Sequence, residues 1–62
     1  MNGTEFLLSQ TTENKLMILE SALQDDDVAM FIKLSMILLD APITEGGLPT
    51  EMIEEIRLKY NS

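Results

Sequence analysis

The sequence predicts a small all-α domain, a helical hairpin plus a short third helix, completed by dimerisation or by a partner. Apolar residues recur at helical spacing in three segments, and consecutive aspartates or a proline- and glycine-containing stretch separate these segments. None of the 62 residues lies in a strand-like alternating pattern. A chain of this length forms one domain at most, and such small domains often supplement a thin core with a disulfide, a metal or oligomerisation.

The first predicted helix covers about residues 10 to 24. Residues 1–8 form a short lead-in ahead of it, apolar enough at its end to pack against the domain. A polar cluster that starts at Ser9 supplies hydroxyl groups suited to a helix N-cap. One stripe of this helix follows the i, i+4, i+7 spacing from Thr12 through Leu16 and Leu19 and continues to Leu23, and Ile18 and Ala22 widen it.

The second predicted helix covers about residues 26 to 40 and begins at three consecutive aspartates, Asp25–Asp27. A calcium-binding EF-hand loop would need glycine at its sixth position and glutamate at its twelfth. Counting from Asp25, those positions are Met30 and Met36. The aspartates are therefore predicted to cap the helix rather than to bind a metal.

Ala29, Lys33 and Asp40 share one narrow strip of this second helix, and the rest of its surface is apolar except for Ser35. A helix that packs on one neighbour needs an apolar arc of little more than about 100°, and this arc is far wider. We expect the helix to be the centre of the fold, with the first helix on one side and the third helix on part of the other. A second copy or a partner would shield the remainder.

A loop at residues 41–49 and a third helix over about residues 50 to 60 complete the prediction. Pro42 ends the second helix, because a proline disfavours helical geometry in the residue before it. The loop also contains Gly46, Gly47 and Pro49. The third helix has an apolar stripe formed by Met52, Ile53, Ile56 and Tyr60.

Composition argues against several functions. Eleven Asp and Glu face four scattered Lys and Arg, giving a net charge of −7, whereas nucleic-acid and anionic-membrane binding need clustered cations. The longest apolar stretch, residues 28–39, contains Lys33 and is shorter than the roughly 20 residues of a membrane span. No secretory signal is recognisable, so a cytoplasmic location is expected.

Catalytic equipment is not recognisable either. The chain lacks cysteine and histidine, which removes disulfides, thiolate ligands and the usual general base. The glutamates lie on the polar faces of amphipathic helices and are interpreted as solvated. The Gly46-Gly47 pair is too short for a phosphate loop and has no following Gly-Lys-Ser/Thr motif. We therefore expect a non-enzyme without cofactor or metal.

The segment Phe6–Leu23 resembles the first helix of the small cyanobacterial phycobilisome-degradation proteins. The resemblance rests on residues of similar type at Phe6, Leu8-Ser9, Glu13, Lys15-Leu16, Leu19-Glu20 and Leu23. It covers less than a third of the chain, and Asn14 stands where that family usually has an aromatic residue. The resemblance implies a homodimer of helical hairpins that recruits antenna proteins to a protease.

The residues themselves favour a small regulatory protein, an inhibitor or adaptor, that docks an apolar helix surface on a larger protein or complex. A structural or assembly component of a larger particle is the second class. An acidic mimic of nucleic acid is the third, although eleven acids over three helices are sparse for that role. The expected partner is another protein or a second copy of the chain.

Partner contact is predicted on the second helix, at a stripe formed by Phe31, Leu34 and Leu38 and bordered by Met30 and Ile37. Phe31 is its only aromatic residue, and aromatic anchors often dominate interface energies. The alternative is that the stripe is the intramolecular core. Two apolar residues on the polar sides of their helices, Met17 and Leu58, are additional contact candidates.

Overall fold

The computed structural model describes residues 2–61 and confirms the all-α class. In that range it contains four α-helices and one short 3-10 helix, and no strand. These elements are α1 (Gly3–Ser9), α2 (Thr12–Gln24), α3 (Val28–Asp40), the 3-10 helix (Ile43–Glu45) and α4 (Thr50–Asn61). The three predicted helices correspond to α2, α3 and α4, and each begins within two residues of its expected start.

Helix α1 was not predicted, since residues 1–8 were expected to be a lead-in outside the helices. Its N-cap is Asn2, whose side-chain oxygen accepts a hydrogen bond from the backbone N–H of Glu5 at 2.8 Å. A helix of seven residues is too short to be stable alone. It is held by tertiary packing, because Leu7 is buried in the core.

The turn between α2 and α3 confirms that the aspartates cap helices. Asp27 accepts a hydrogen bond from the backbone N–H of Met30 at 3.1 Å, as an N-cap residue does. Asp26 has a φ of 59°, in the left-handed region. The N–H groups of Asp26 and Asp27 bond to the carbonyls of Leu23 and Ala22, which is the Schellman arrangement that ends a helix.

The loop after α3 turns back sharply over the end of that helix. Gly46 has a φ of 102°, and a Cβ atom at Gly47 would collide with the carbonyl oxygens of Ala41 and Leu38, so both positions require glycine. The backbone N–H of Leu48 donates to the carbonyl of Leu38 at 3.0 Å. Leu48 is buried, so this loop closes one end of the core.

The centre of the fold is α2 rather than α3, and the prediction that placed the second predicted helix at the centre is wrong. Helix α2 makes the main helix–helix contacts with both α3 and α4. The groove between α2 and α4 is lined by Leu16, Ile56 and Met52, among others. At its far end the side-chain amide of Gln24 donates to the Tyr60 hydroxyl at 2.7 Å.

A buried lysine on α2 holds the loop that leads into α4. The Lys15 side chain is only 4% exposed, and its Nζ donates to the carbonyl of Gly46 at 2.7 Å. This bond fixes the loop to the N-terminal half of α2, so that the chain enters α4 on the α2 side of the domain. The sequence predicts no structural role for Lys15, which is one of its four scattered cations.

The core lies between the helices and is small. It contains eight buried apolar residues, of which Leu19 and Leu38 are completely inaccessible to solvent: Leu7, Leu19, Ala22, Phe31, Leu38, Leu48, Ile53 and Ile56.

Candidate protein-binding surface

The predicted contact stripe on α3 is mostly covered within the chain itself. Phe31 and Leu38 belong to the core, and Leu34 and Ile37 are partly buried against it. Only Met30 is exposed, at the edge of a groove between α1 and α3. The centre of the predicted contact stripe therefore lies in the intramolecular core, as the alternative interpretation had it. Helix α1 helps to cover this stripe.

The other two contact candidates are exposed but isolated from this stripe. Met17 lies on the outer side of α2 and Leu58 on that of α4, and each is about three-fifths exposed. Single apolar side chains of this kind are common on protein surfaces. Neither residue by itself defines a binding surface.

A different face of α3 carries a continuous apolar surface. Four large side chains on this face are each 44–65% exposed: Val28, Ile32, Met36 and Leu39. At about 100° per residue they fall within an arc of about 80°. They extend along the helix for about 16 Å, at 1.5 Å per residue. Ile43, in the 3-10 helix that follows, is exposed as well but lies beyond the end of α3. We call the four residues on α3 the α3 outer stripe.

The α3 outer stripe was not predicted from the sequence, because α3 is apolar around most of its circumference. The predicted contact stripe was instead placed on the side of the helix that carries its aromatic residue, Phe31. A signal was nevertheless present. The intervals between the stripe residues are four, four and three positions, close to the alternation of three and four found in helix–helix seams.

Charged residues border the α3 outer stripe along one flank. Lys33 and Asp40 are the only charged side chains of α3, both are exposed, and they lie seven residues apart on the same flank. Neither makes an ion pair within residues 2–61. On the opposite flank is Ser35, a buried residue whose hydroxyl has no hydrogen-bond partner among the described atoms.

The described residues offer little to other kinds of site. Across residues 2–61, no three acidic, histidine or cysteine side chains are grouped as metal ligands. No helix in that range combines the length and apolar character that crossing a bilayer requires. Ion pairs join Arg57 to Glu54 within α4 at 2.8 Å and Lys59 of α4 to Glu20 of α2 at 4.0 Å. Solvent-accessible pairs of this kind contribute little to stability.

Comparison of the chain with protein-family models, with curated proteins and with solved structures gave no match. The resemblance of Phe6–Leu23 to the phycobilisome-degradation proteins therefore stays a prediction. In the structure, that segment spans most of α1, the break at residues 10–11 and most of α2.

Proposed function

We propose that this protein is a small non-catalytic regulator, an inhibitor or adaptor, that docks the α3 outer stripe on a larger protein. The observation that carries the proposal is the concentration of exposed apolar side chains on one helix face. Contiguous apolar surface of this kind on a small acidic chain marks an interaction site more often than chance exposure. An amphipathic helix laid into an apolar groove is a common mode of protein recognition.

The energetic gain from such docking is substantial for so small a chain. Complete burial of a valine, leucine, isoleucine or methionine side chain contributes about 1.5–3 kcal/mol. The stripe side chains are about half exposed, so each has roughly half of that gain still available. Four such side chains together can offset a considerable part of the entropy lost on association.

The shape of the surface favours docking at one site over permanent incorporation in a particle. An assembly component must contact neighbours on at least two sides. Here the row of exposed apolar side chains lies on α3, whereas those on the other α-helices are distributed over all three: Phe6 on α1, Met17 on α2, and Met52, Leu58 and Tyr60 on α4. One face is sufficient for an inhibitor or adaptor.

Photo-crosslinking in the native host tests the proposal. A photoreactive amino acid is introduced at Met36, in the stripe, and in a matched protein at Met17, which is equally exposed on α2. We expect one larger protein to be crosslinked specifically from position 36. Equal labelling from both positions, or none from position 36, would count against docking through this face.

A further inference from the structure

We infer that the α3 outer stripe also pairs with itself, forming a dimer in which the α3 helices of two copies lie antiparallel about a two-fold axis near Met36. This inference goes beyond the proposed function, because it concerns the isolated chain and requires no other protein. It rests on the apolar pattern of the stripe and on the charges along its flank.

The apolar pattern of α3 can pair with itself in an antiparallel arrangement. In an antiparallel pair each residue faces the position reflected through the two-fold axis. With the axis between residues 35 and 36, Ile32 of each copy faces Leu39 of the other. Met36 lies beside the axis itself. Val28 lies opposite the end of the second copy's α3, so Ile32, Met36 and Leu39 are the stripe residues that this pairing shields.

The charges on the flank specify the same arrangement. Lys33 and Asp40 each directly follow a stripe residue, Ile32 and Leu39, so they occupy equivalent positions beside the seam. In antiparallel helix pairs these equivalent flanks face each other, and opposite charges there set orientation. Lys33 of each copy would then approach Asp40 of the other, giving two ion pairs. The midpoint of Lys33 and Asp40 lies within one residue of the midpoint of Ile32 and Leu39.

In a parallel pair of α3 helices, the apolar pattern and the flanking charges would no longer favour the same arrangement. Each Lys33 flank would then face the opposite flank of the other helix, which carries Ser35 and has no charge. No ion pair would form between the α3 helices, and Ile43 would face its own counterpart beyond the helix ends. The observed pattern of signs and spacings therefore favours the antiparallel dimer over the parallel one.

Repulsion limits the strength of the pairing. Each copy carries a net charge of −7, so two copies repel each other. Salt screens the repulsion between exposed charges. We therefore expect a reversible dimer that is populated as the concentration rises. A larger protein docked on the same stripe would displace the second copy.

Sedimentation of the purified chain over a wide concentration range, at fixed physiological salt, tests the inference. The wild-type mass should rise from 7.0 kDa to twice that value and no further. Met36→Lys should remain monomeric, because it places two cations beside the axis. Met17→Lys is the matched control, with the same exposure, the same charge change and an acidic residue four positions away in both cases, and it should dimerise like the wild type. Circular dichroism should show unchanged helix in both variants.

Charge reversals test the antiparallel register. Lys33→Asp alone and Asp40→Lys alone each turn two attractions into repulsions, so each should weaken dimerisation by about tenfold. The double variant restores both pairs with the charges exchanged and should dimerise like the wild type. An equimolar mixture of the two single variants should form heterodimers, since one copy then offers two acids and the other two bases.

Several outcomes would overturn the inference. They are a monomer at every concentration, assembly beyond the dimer, dimerisation that survives Met36→Lys, and charge variants that are not rescued by the exchange or by mixing. None of these results decides whether a larger protein binds. Conversely, failure of the crosslinking experiment to identify a partner would leave the self-association of the purified chain intact.

Discussion

The two faces of α3 have nearly the same composition and opposite environments. The inner face presents Phe31 and Leu38 to the core, and the outer face presents Ile32, Met36 and Leu39 to solvent. Hydrophobicity does not distinguish them. What distinguishes them is the cover that other elements provide: α1, α2 and the loop at residues 46–48 pack on the inner face, while α4 packs on α2 and leaves the outer face open. In so small a chain, a helix that is apolar nearly all round therefore serves both a core and an interface.

The sharpest test of this comparison uses two adjacent leucines. Leu38 is completely buried, whereas Leu39 is 44% exposed. Leu38→Ala should lower the free energy of unfolding by about 2–5 kcal/mol, because it leaves a cavity in the core. In monomeric protein at low concentration, Leu39→Ala should change it by less than about 0.5 kcal/mol, as surface substitutions usually do. Urea titration followed by circular dichroism measures both. Equal losses would show that the two faces are not distinct.

The sequence was informative about where α3 lies and uninformative about how it is rotated. The Asp27 N-cap and Pro42 mark its ends, and both are local signals that need no knowledge of the rest of the fold. Which side faces inward depends on what packs there, and that cover includes α1. Gly3 in its first turn and a length of only seven residues concealed this helix.

The candidate surface was predictable only in part for the same reason. The sequence indicated that α3 had more apolar surface than its neighbours could cover. It did not indicate that α4 would pack on α2, because that packing rests on long-range contacts such as Gln24 with Tyr60, and the bond from Lys15 to Gly46 that fixes the preceding loop is also long-range. A lysine in an amphipathic helix is normally expected at the surface. The stripe chosen from the sequence, around Phe31, is accordingly the one that the fold covers.

The second prediction concerns the loop that covers the inner face. Lys15→Ala should destabilise the protein by about 1–3 kcal/mol, because the packing of the lysine stem is lost and the Gly46 carbonyl loses its charged donor. Lys15→Met is the matched variant, which retains most of the stem and removes only the hydrogen bond, so a smaller loss is expected. Thermal unfolding of the three proteins in parallel provides the comparison. If Lys15→Ala is as stable as the wild type, the bond does not hold the loop.

The smallest expected effect comes from the turn that sets the rotation of α3 relative to α2. Asp26 has a left-handed backbone conformation, which costs a residue with a Cβ atom free energy that glycine does not lose. Asp26→Gly should therefore raise the free energy of unfolding, by up to about 1 kcal/mol. The substitution also removes one negative charge from an acidic chain, and that change alone can stabilise the folded state. Asp26→Asn separates the two causes, because it removes the charge and keeps a Cβ atom in the same conformation. Urea titration should rank Asp26→Gly above Asp26→Asn, with both at or above the wild type. If the two variants are equally stable, the charge of Asp26, and not its backbone strain, lowers the free energy of unfolding. The orientation of α3 would then be held by its buried inner face alone.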